Sequence, residues 1–207
     1  MTAETIRDLA LKSSGLLVPE IGGPSVKVYQ PKGIWESSTS GRGVLSRYVQ
    51  DHGDKLYRRG LYSFIKRTVP PPGMLVFDAS NRDLCEVNRM RTNTPLQALV
   101  IMNDPIVLES SRVFAERLIS GGGDPHDHIT TAFRAIICRS PRQNELSILT
   151  SYFDDELKIF KADQNKASQL IHVGEYKWKE REHVPTLAAL MQVIHTMYNM
   201  EEAITKN

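Results

Sequence analysis

Residues 94–141 read TPLQALVIMNDPIVLESSRVFAERLISGGGDPHDHITTAFRAIICRSP. Four times in this stretch a capping residue stands directly before a proline: Thr94-Pro95, Asp104-Pro105, Asp124-Pro125 and Ser140-Pro141. A cap side chain accepts a hydrogen bond from a free first-turn amide, and proline at the first helical position gives up no donor that the helix needs. The pattern predicts four helix starts. Gln143, three residues after Ser140, would complete a capping box at the last of them. Behind the starts, apolar residues recur at helical spacing: Ile129, Ala132, Phe133, Ile136 and Ile137, then Leu146, Leu149, Phe153, Leu157 and Phe160, and later Leu187, Leu190, Met191, Ile194 and Tyr198. These stripes are the core faces of a helical bundle. Gly121-Gly122-Gly123 and Glu175–His183 read as connections.

Towards the N-terminus the pattern weakens. Residues 3–14 predict a short helix, capped by Thr2, with Ile6, Leu9 and Ala10 on one face and Gly15 at its end. Residues 15–55 keep no period. Ile21-Gly22-Gly23-Pro24 and Tyr29-Gln30-Pro31-Lys32-Gly33 are turn chemistry, and Ser37 to Gly43 is a polar loop. Leu56, Gly60, Phe64 and Arg67 predict a helix over 55–67, ended by Pro70-Pro71-Pro72-Gly73. The expected fold class is mainly α, with a helical bundle in the C-terminal half, a long loop-rich N-terminal region, and little or no β. The expected organisation is one domain over 1–207, made of a loop-rich arm (1–55), a motif-rich core segment (56–105) and the bundle (106–207).

Composition narrows the function classes. The chain has 207 residues, 41% hydrophobic and 24% charged, with a net charge of +2, so no overall field draws it to nucleic acid or an anionic membrane. No apolar run approaches the roughly 18 residues that would span a bilayer, and no membrane insertion is expected. Met1-Thr2-Ala3-Glu4 starts a helix rather than a leader, which fits either a cytoplasmic protein or a module cut from a longer exported chain. Cys85 and Cys138 do not make a disulfide scaffold. They are expected as two buried, inert thiols, with a single bridge between them as the alternative.

The sequence carries no Walker loop or dinucleotide fingerprint, no G-x-S-x-G elbow, no C-x-x-C and no H-E-x-x-H. His126-Asp127-His128 is the one tight histidine pair, at a spacing where two helical rings diverge, so a solvated helix start is expected rather than a metal site. His195 is expected as a packed, hydrogen-bonded histidine. What remains is residues 57–91. Arg58, Arg59, Lys66, Arg67, Arg82, Arg89 and Arg91 oppose Asp78, Asp83 and Glu86, seven basic groups against three acids. Such a cluster can grip an anionic or sugar-like ligand, because guanidinium forks hold carboxylates and phosphates. It can equally be a lattice tying down loop carbonyls. Asp78 follows the apolar run Met74-Leu75-Val76-Phe77, which would bury it and raise its pKa. Arg91-Thr92-Asn93-Thr94-Pro95 feeds a helix N-terminus, where amides would meet a ligand. The candidate binding residues are Arg67, Asp78, Arg82, Cys85, Arg89, Arg91 and Asn93. No catalytic residue is assigned and no metal ligand is expected.

Leu61-Tyr62-x-Phe64-x-Lys66-Arg67-Thr68-Val69-Pro70-Pro71-Pro72, Phe77-Asp78-Ala79-x-x-Arg82-x-x-Cys85, Arg89-x-Arg91-Thr92-Asn93-Thr94-Pro95-Leu96-Gln97-Ala98-Leu99 and Asn103-Asp104-Pro105 together resemble the planctomycete-type domain of unknown function numbered 1553. Ile21 to Val26 with Tyr29-Gln30-Pro31 resemble that family's opening loop. Arg139-x-Pro141-x-x-x-Glu145 and Asn199-Met200-x-Glu202-Ala203-Ile204-Thr205-Lys206 resemble its closing helices. The resemblance implies a C-terminal module of a large exported protein, periplasmic or at the cell surface, preceded by a companion domain of unknown function and often by a c-type haem domain. No cofactor is expected in this chain, and any haem would sit elsewhere in the parent protein. Glu86, Asn88 and Met90 depart from the family pattern of Thr, Arg and Glu, which removes one arginine from any anion grip there.

Two functions follow as expectations. One is a non-enzymatic module that docks on its companion domain or binds a glycan or other anion, with Trp35, Tyr29, Tyr57 and Tyr62 as docking face or sugar platform. The other is part of a composite enzyme acting on polysaccharide, with Asp78, Arg82 and Arg91 in its site. A redox role for Cys85, acidified by Arg82 and Arg89, stands third.

Overall fold

The computed structural model describes residues 1–38, 46–80, 82, 85–177 and 183–205. Ten α-helices follow one another among these residues: α1 (Ala3–Ser14), α2 (Ile34–Ser37), α3 (Pro72–Val76), α4 (Pro95–Asn103), α5 (Pro105–Ser120), α6 (Pro125–Ile137), α7 (Gln143–Ala162), α8 (Gln164–Ile171), α9 (Val184–Tyr198) and α10 (Glu201–Ile204). The described residues contain no strand, only isolated bridges pairing Val18 with Arg58, Val26 with Ser63 and Lys66 with Val69. The chain is mainly helical, as the stripes predict.

The centre of the bundle is α9. Leu187 to Met191, Val193 to His195, Met197 and Tyr198 are all buried, so the helix is apolar nearly all round. That composition suits a helix enclosed by others, and α9 packs against α5, α6, α7 and α8. The stripes of α6 and α7 face inward as expected, with Leu157 of the α7 stripe only partly covered. His195 is buried, and its Nε2 lies 3.2 Å from the Ile101 carbonyl, the packed histidine expected. From the other side α1 lies on α5. Its N-terminus is capped by Thr2, and Gly15 closes its C-terminus with φ 85°. Ser13 Oγ meets Tyr198 Oη at 2.5 Å, tying α1 to the end of α9.

Three of the four proline-led starts form as predicted. Asp104 accepts from the Ile106 amide (2.9 Å) and Asp124 from the Asp127 amide (2.9 Å), while Gln97 Oε1 accepts from Thr94 N (3.4 Å). The fourth is displaced. α7 begins at Gln143 with Arg142 as its cap, and Glu145, not Ser140 with Gln143, supplies the box by accepting from Arg142 N at 2.7 Å. Arg139 explains the shift. Its guanidinium holds the Glu145 carboxylate at 2.7 and 2.8 Å and reaches Glu202 of α10 at 2.7 and 2.8 Å. The Glu145 box is thus the stronger competitor.

The helix predicted over 55–67 does not form. Gly53–Tyr57 and Gly60–Tyr62 are separate 3₁₀ turns, split by extended backbone at Arg58 and Arg59. Long-range pairing outweighs a weak period broken by glycine. Val18 N donates to Tyr57 O (3.0 Å), Val26 N to Tyr62 O (2.8 Å) and Phe64 N to Val26 O (2.8 Å). A Cβ on Gly60 would lie 2.9 Å from Glu4 Cα, so the chain crosses α1 at a distance only glycine allows. The prolines do more than stop a helix. Pro71 O accepts from Met74 and Leu75, and Pro72 opens α3, so Met74–Val76 is helical and Phe77 caps its end. Of the polar loop expected from Ser37 to Gly43, residues 39–43 lie outside the described residues, as do 178–182 of the connection before α9.

Candidate functional site

Three arginines of the 57–91 run are tied into the structure. Arg58 is 3% exposed and donates to Pro24 O (2.9 Å), Glu20 O (3.3 Å) and Gly22 O, with its guanidinium 4.0 Å from the Tyr62 ring centre. One buried cation thereby holds the whole 20–24 turn, which has no ladder of its own. Arg59 pairs with Asp8 at 3.3 Å, and Asp8 also accepts from Gly60 N at 2.6 Å. Arg89 contacts both oxygens of Glu4 at 2.9 Å. Arg67, Arg82 and Arg91 are exposed.

Asp78 sits just past α3 with φ 55° and is half-buried. Its Oδ2 accepts from Thr92 N (2.7 Å) and Thr92 Oγ1 (2.8 Å). Gln97, 1% exposed on the inner side of α4, turns Nε2 towards Val76 O (3.0 Å) and Thr92 O (3.1 Å). Asp78, Thr92 and Gln97 therefore clasp the 85–93 loop between α3 and α4. A cleft of about 450 Å³ opens beside the clasp, lined by Asp78, residues 86–93, Gln97, Ile204 and Thr205 with part of α1's entry. It gathers Asp78, Arg89, Arg91 and Asn93 of the candidate residues. Arg67, Arg82 and Cys85 do not line it, and Asp83 lies outside the described residues.

Other expectations change. Cys85 and Cys138 are both unbridged and both exposed, not buried thiols: Cys85 lies on the outer loop, and Cys138 is the left-handed residue (φ 64°) that ends α6. The aromatic platform is absent. Trp35 (2% exposed) packs in the interior against Tyr48 and Phe64, Tyr57 is buried, and Tyr62 Oη accepts from Gly22 N at 2.8 Å. At the start of α6, Asp124, His126 and Asp127 lie close together but exposed, while His128 is buried with Nε2 3.2 Å from Gly122 O.

The most elaborate polar cluster was not read from the sequence. Glu109, fully buried on α5, accepts from Tyr29 Oη (3.1 Å), Tyr57 Oη (2.9 Å) and Tyr176 N (2.7 Å). Burial first, and the Glu109 charge second, push both tyrosine pKa values well above the usual range. One turn on, buried Arg112 donates to Tyr176 O at 2.5 Å and lies 3.5 Å from Glu116. This cluster joins the N-terminal loops, α5 and the segment after α8. The signal was present in Glu109, Arg112 and Glu116, charges at the three- and four-residue steps of the core-facing stripe.

Outside these clusters, α4 is apolar on its outer side as well as its inner one. Its inner side carries Gln97 and Ile101, while Leu96, Leu99 and Met102 on the outer side are 53%, 55% and 53% exposed. Val87 and Met90 in the preceding loop are more exposed still, at 105% and 78%.

Residues 1–153 match the model of a family described as PSD1, protein of unknown function (DUF1553). The chain belongs to the DUF1553 family. The matched region holds α1 to α6 with Glu109 and Arg112, while Tyr176 of that cluster and Ile204 and Thr205 of the cleft lie beyond it. The Arg139–Glu145 pair inside it reaches Glu202 outside it. No curated protein and no solved structure matches the chain.

Proposed function

We propose that the chain is a non-catalytic docking module of a larger exported protein, and that its contact face is the outer side of α4 with residues 87–90. The observation that carries this reading is the exposed apolar outer side of α4. Leu96, Leu99 and Met102 recur at three-residue steps on the solvent side, and Val87 and Met90 are exposed in the loop before them. Covering an exposed aliphatic side chain contributes about 1.5 kcal/mol or more, and an apolar stripe on the solvent side of a helix is the kind of surface a protein contact covers. The occupant proposed is the companion N-terminal domain that DUF1553 chains follow in their parent proteins. No helix among the described residues is long and apolar enough to cross a membrane.

Asp78 supports docking better than catalysis, because its carboxylate is occupied by Thr92. A second reading rests on the cleft beside it: exposed Arg91 with Asn93 would receive an anionic group of a glycan there.

The test is sedimentation of the purified chain mixed with the companion domain of the same parent. A one-to-one complex is expected, weakened by about 2 kcal/mol, roughly thirtyfold, in Leu99→Asp. No complex, or one indifferent to Leu99→Asp and Leu96→Asp, would contradict the reading. A saturable thermal shift with sulfated or acidic oligosaccharides, lost in Arg91→Ala, would move the assignment to the second reading.

A further inference from the structure

A second cleft of about 450 Å³ lies on another side of the molecule, between α1, residues 28–31, α3 and the α4–α5 junction. Its walls are apolar, including Val28, Met74, Phe77, Val100 and Ile106. Two opposite charges also line it, Arg7 from α1 and Asp104 from the α4–α5 junction. Each feels the other's charge, yet no ion pair joins them among the described residues. Each is half used. Arg7 Nη2 donates to Leu56 O at 2.5 Å, and Asp104 Oδ1 accepts from the Ile106 amide at 2.9 Å, capping α5. Arg7 Nη1 and Asp104 Oδ2 make no hydrogen bond among the described residues, and neither is sealed in the interior as Arg7 Nε is. Asp8 also acts on Arg7, but its carboxylate is committed to Arg59 and to Gly60 N. Gly73 keeps the free acceptor uncovered: a Cβ there would lie 3.2 Å from Asp104 Oδ2 and 3.8 Å from Val100 Cγ1.

These two charges decide what the cleft can hold. Burial pushes the Asp104 carboxyl up and the Arg7 guanidinium down, and each only partly offsets that cost for the other. An anion placed at Arg7 would meet Asp104, and a cation placed at Asp104 would meet Arg7. A neutral head that both donates and accepts satisfies both. A carboxamide is such a head, and both of its bonds would be charge-assisted. The size and the mostly apolar lining are those of a small-molecule site.

We propose that this cleft binds a small neutral amide with an apolar body, its N–H donating to Asp104 Oδ2, its carbonyl accepting from Arg7 Nη1, and its hydrocarbon lying along Met74, Phe77 and Val100. The site is separate from the outer face of α4 and stands or falls independently of the docking reading.

Calorimetric titration of the full chain with octanamide, N,N-dimethyloctanamide, octanoate and octylamine tests the proposal. Octanamide is expected to bind saturably. The dimethyl amide keeps the carbonyl and the hydrocarbon but has no donor for Asp104, and is expected to bind about tenfold more weakly. Octanoate and octylamine are expected to bind more weakly still. Asp104→Asn retains the cap of α5, since asparagine caps as well as aspartate, and turns the free acceptor into an uncharged donor. It is expected to weaken octanamide about tenfold and to strengthen octanoate, an inversion that misfolding would not produce. Gly73→Ala, which suits a helix, covers Oδ2 and is expected to weaken octanamide with thermal unfolding unchanged. Absence of octanamide binding to the folded chain would overturn the proposal. So would equal binding of all four probes, or an order of preference unchanged in Asp104→Asn.

Discussion

At Gly174 a single hydrogen atom decides whether the loop after α8 can close. A Cβ there would sit 2.1 Å from Glu109 Cδ, on backbone with φ 81°. Gly174→Ala therefore combines overpacking against a buried carboxylate with left-handed strain, and should cost about 3 kcal/mol or more in urea unfolding. Gly22→Ala has the same φ sign (85°) with nothing within 4 Å, and should cost only about 1 kcal/mol. A smaller loss at Gly174 than at Gly22 would refute the account of the Glu109 cluster. Glu145 makes a second prediction at this scale. The Arg139 hydrogen bonds, aided by the Arg142 amide, hold its carboxyl at about 2 against an ordinary 4.5. A folded pKa below the unfolded one stabilises the fold above the unfolded value, and that contribution is lost as pH falls towards 2. Acid unfolding between those limits should thus be steeper in the native chain than in Glu145→Gln, measured by circular dichroism at fixed urea.

Elements were legible in proportion to how local their causes are. The caps before Pro95, Pro105 and Pro125 act within one turn, and the apolar stripes act along one helix, so both could be read directly. The 55–67 segment is decided by Val18, Val26 and α1, thirty or more residues away, and the spacing of Leu56, Gly60, Phe64 and Arg67 carries no trace of them. Gln97 shows the same limit: nothing local in the sequence marks its grip on Val76 O and Thr92 O. Gln97→Leu should release the 85–93 loop while leaving the bundle folded, at a cost of about 2 kcal/mol. Hydrogen exchange at the Thr92 amide is the measurement, with accelerated exchange expected there and unchanged protection in α9.

Across the whole molecule, one core runs from Ala3 of α1 to Ile204 of α10, with α9 enclosed and the loop-rich half pinned to it by Arg58, Glu109 and Arg112. The arginine run could be recognised as a lattice or a site, but not divided between the two. That division depends on which guanidinium reaches a carbonyl or a carboxylate in space. Arg58, Arg59 and Arg89 do, and Arg67, Arg82 and Arg91 face solvent. With the interior so committed, Val87, Met90, Leu96, Leu99 and Met102 leave apolar surface unmet on α4 and the loop before it. Hydrogen–deuterium exchange of α4 and residues 85–93, compared between the isolated chain and the intact parent protein, tests the docking assignment most directly. The account predicts slower exchange over 87–103 in the parent, with α6 to α8 unchanged. Identical exchange over 87–103 in both would show that nothing covers this face and contradict it.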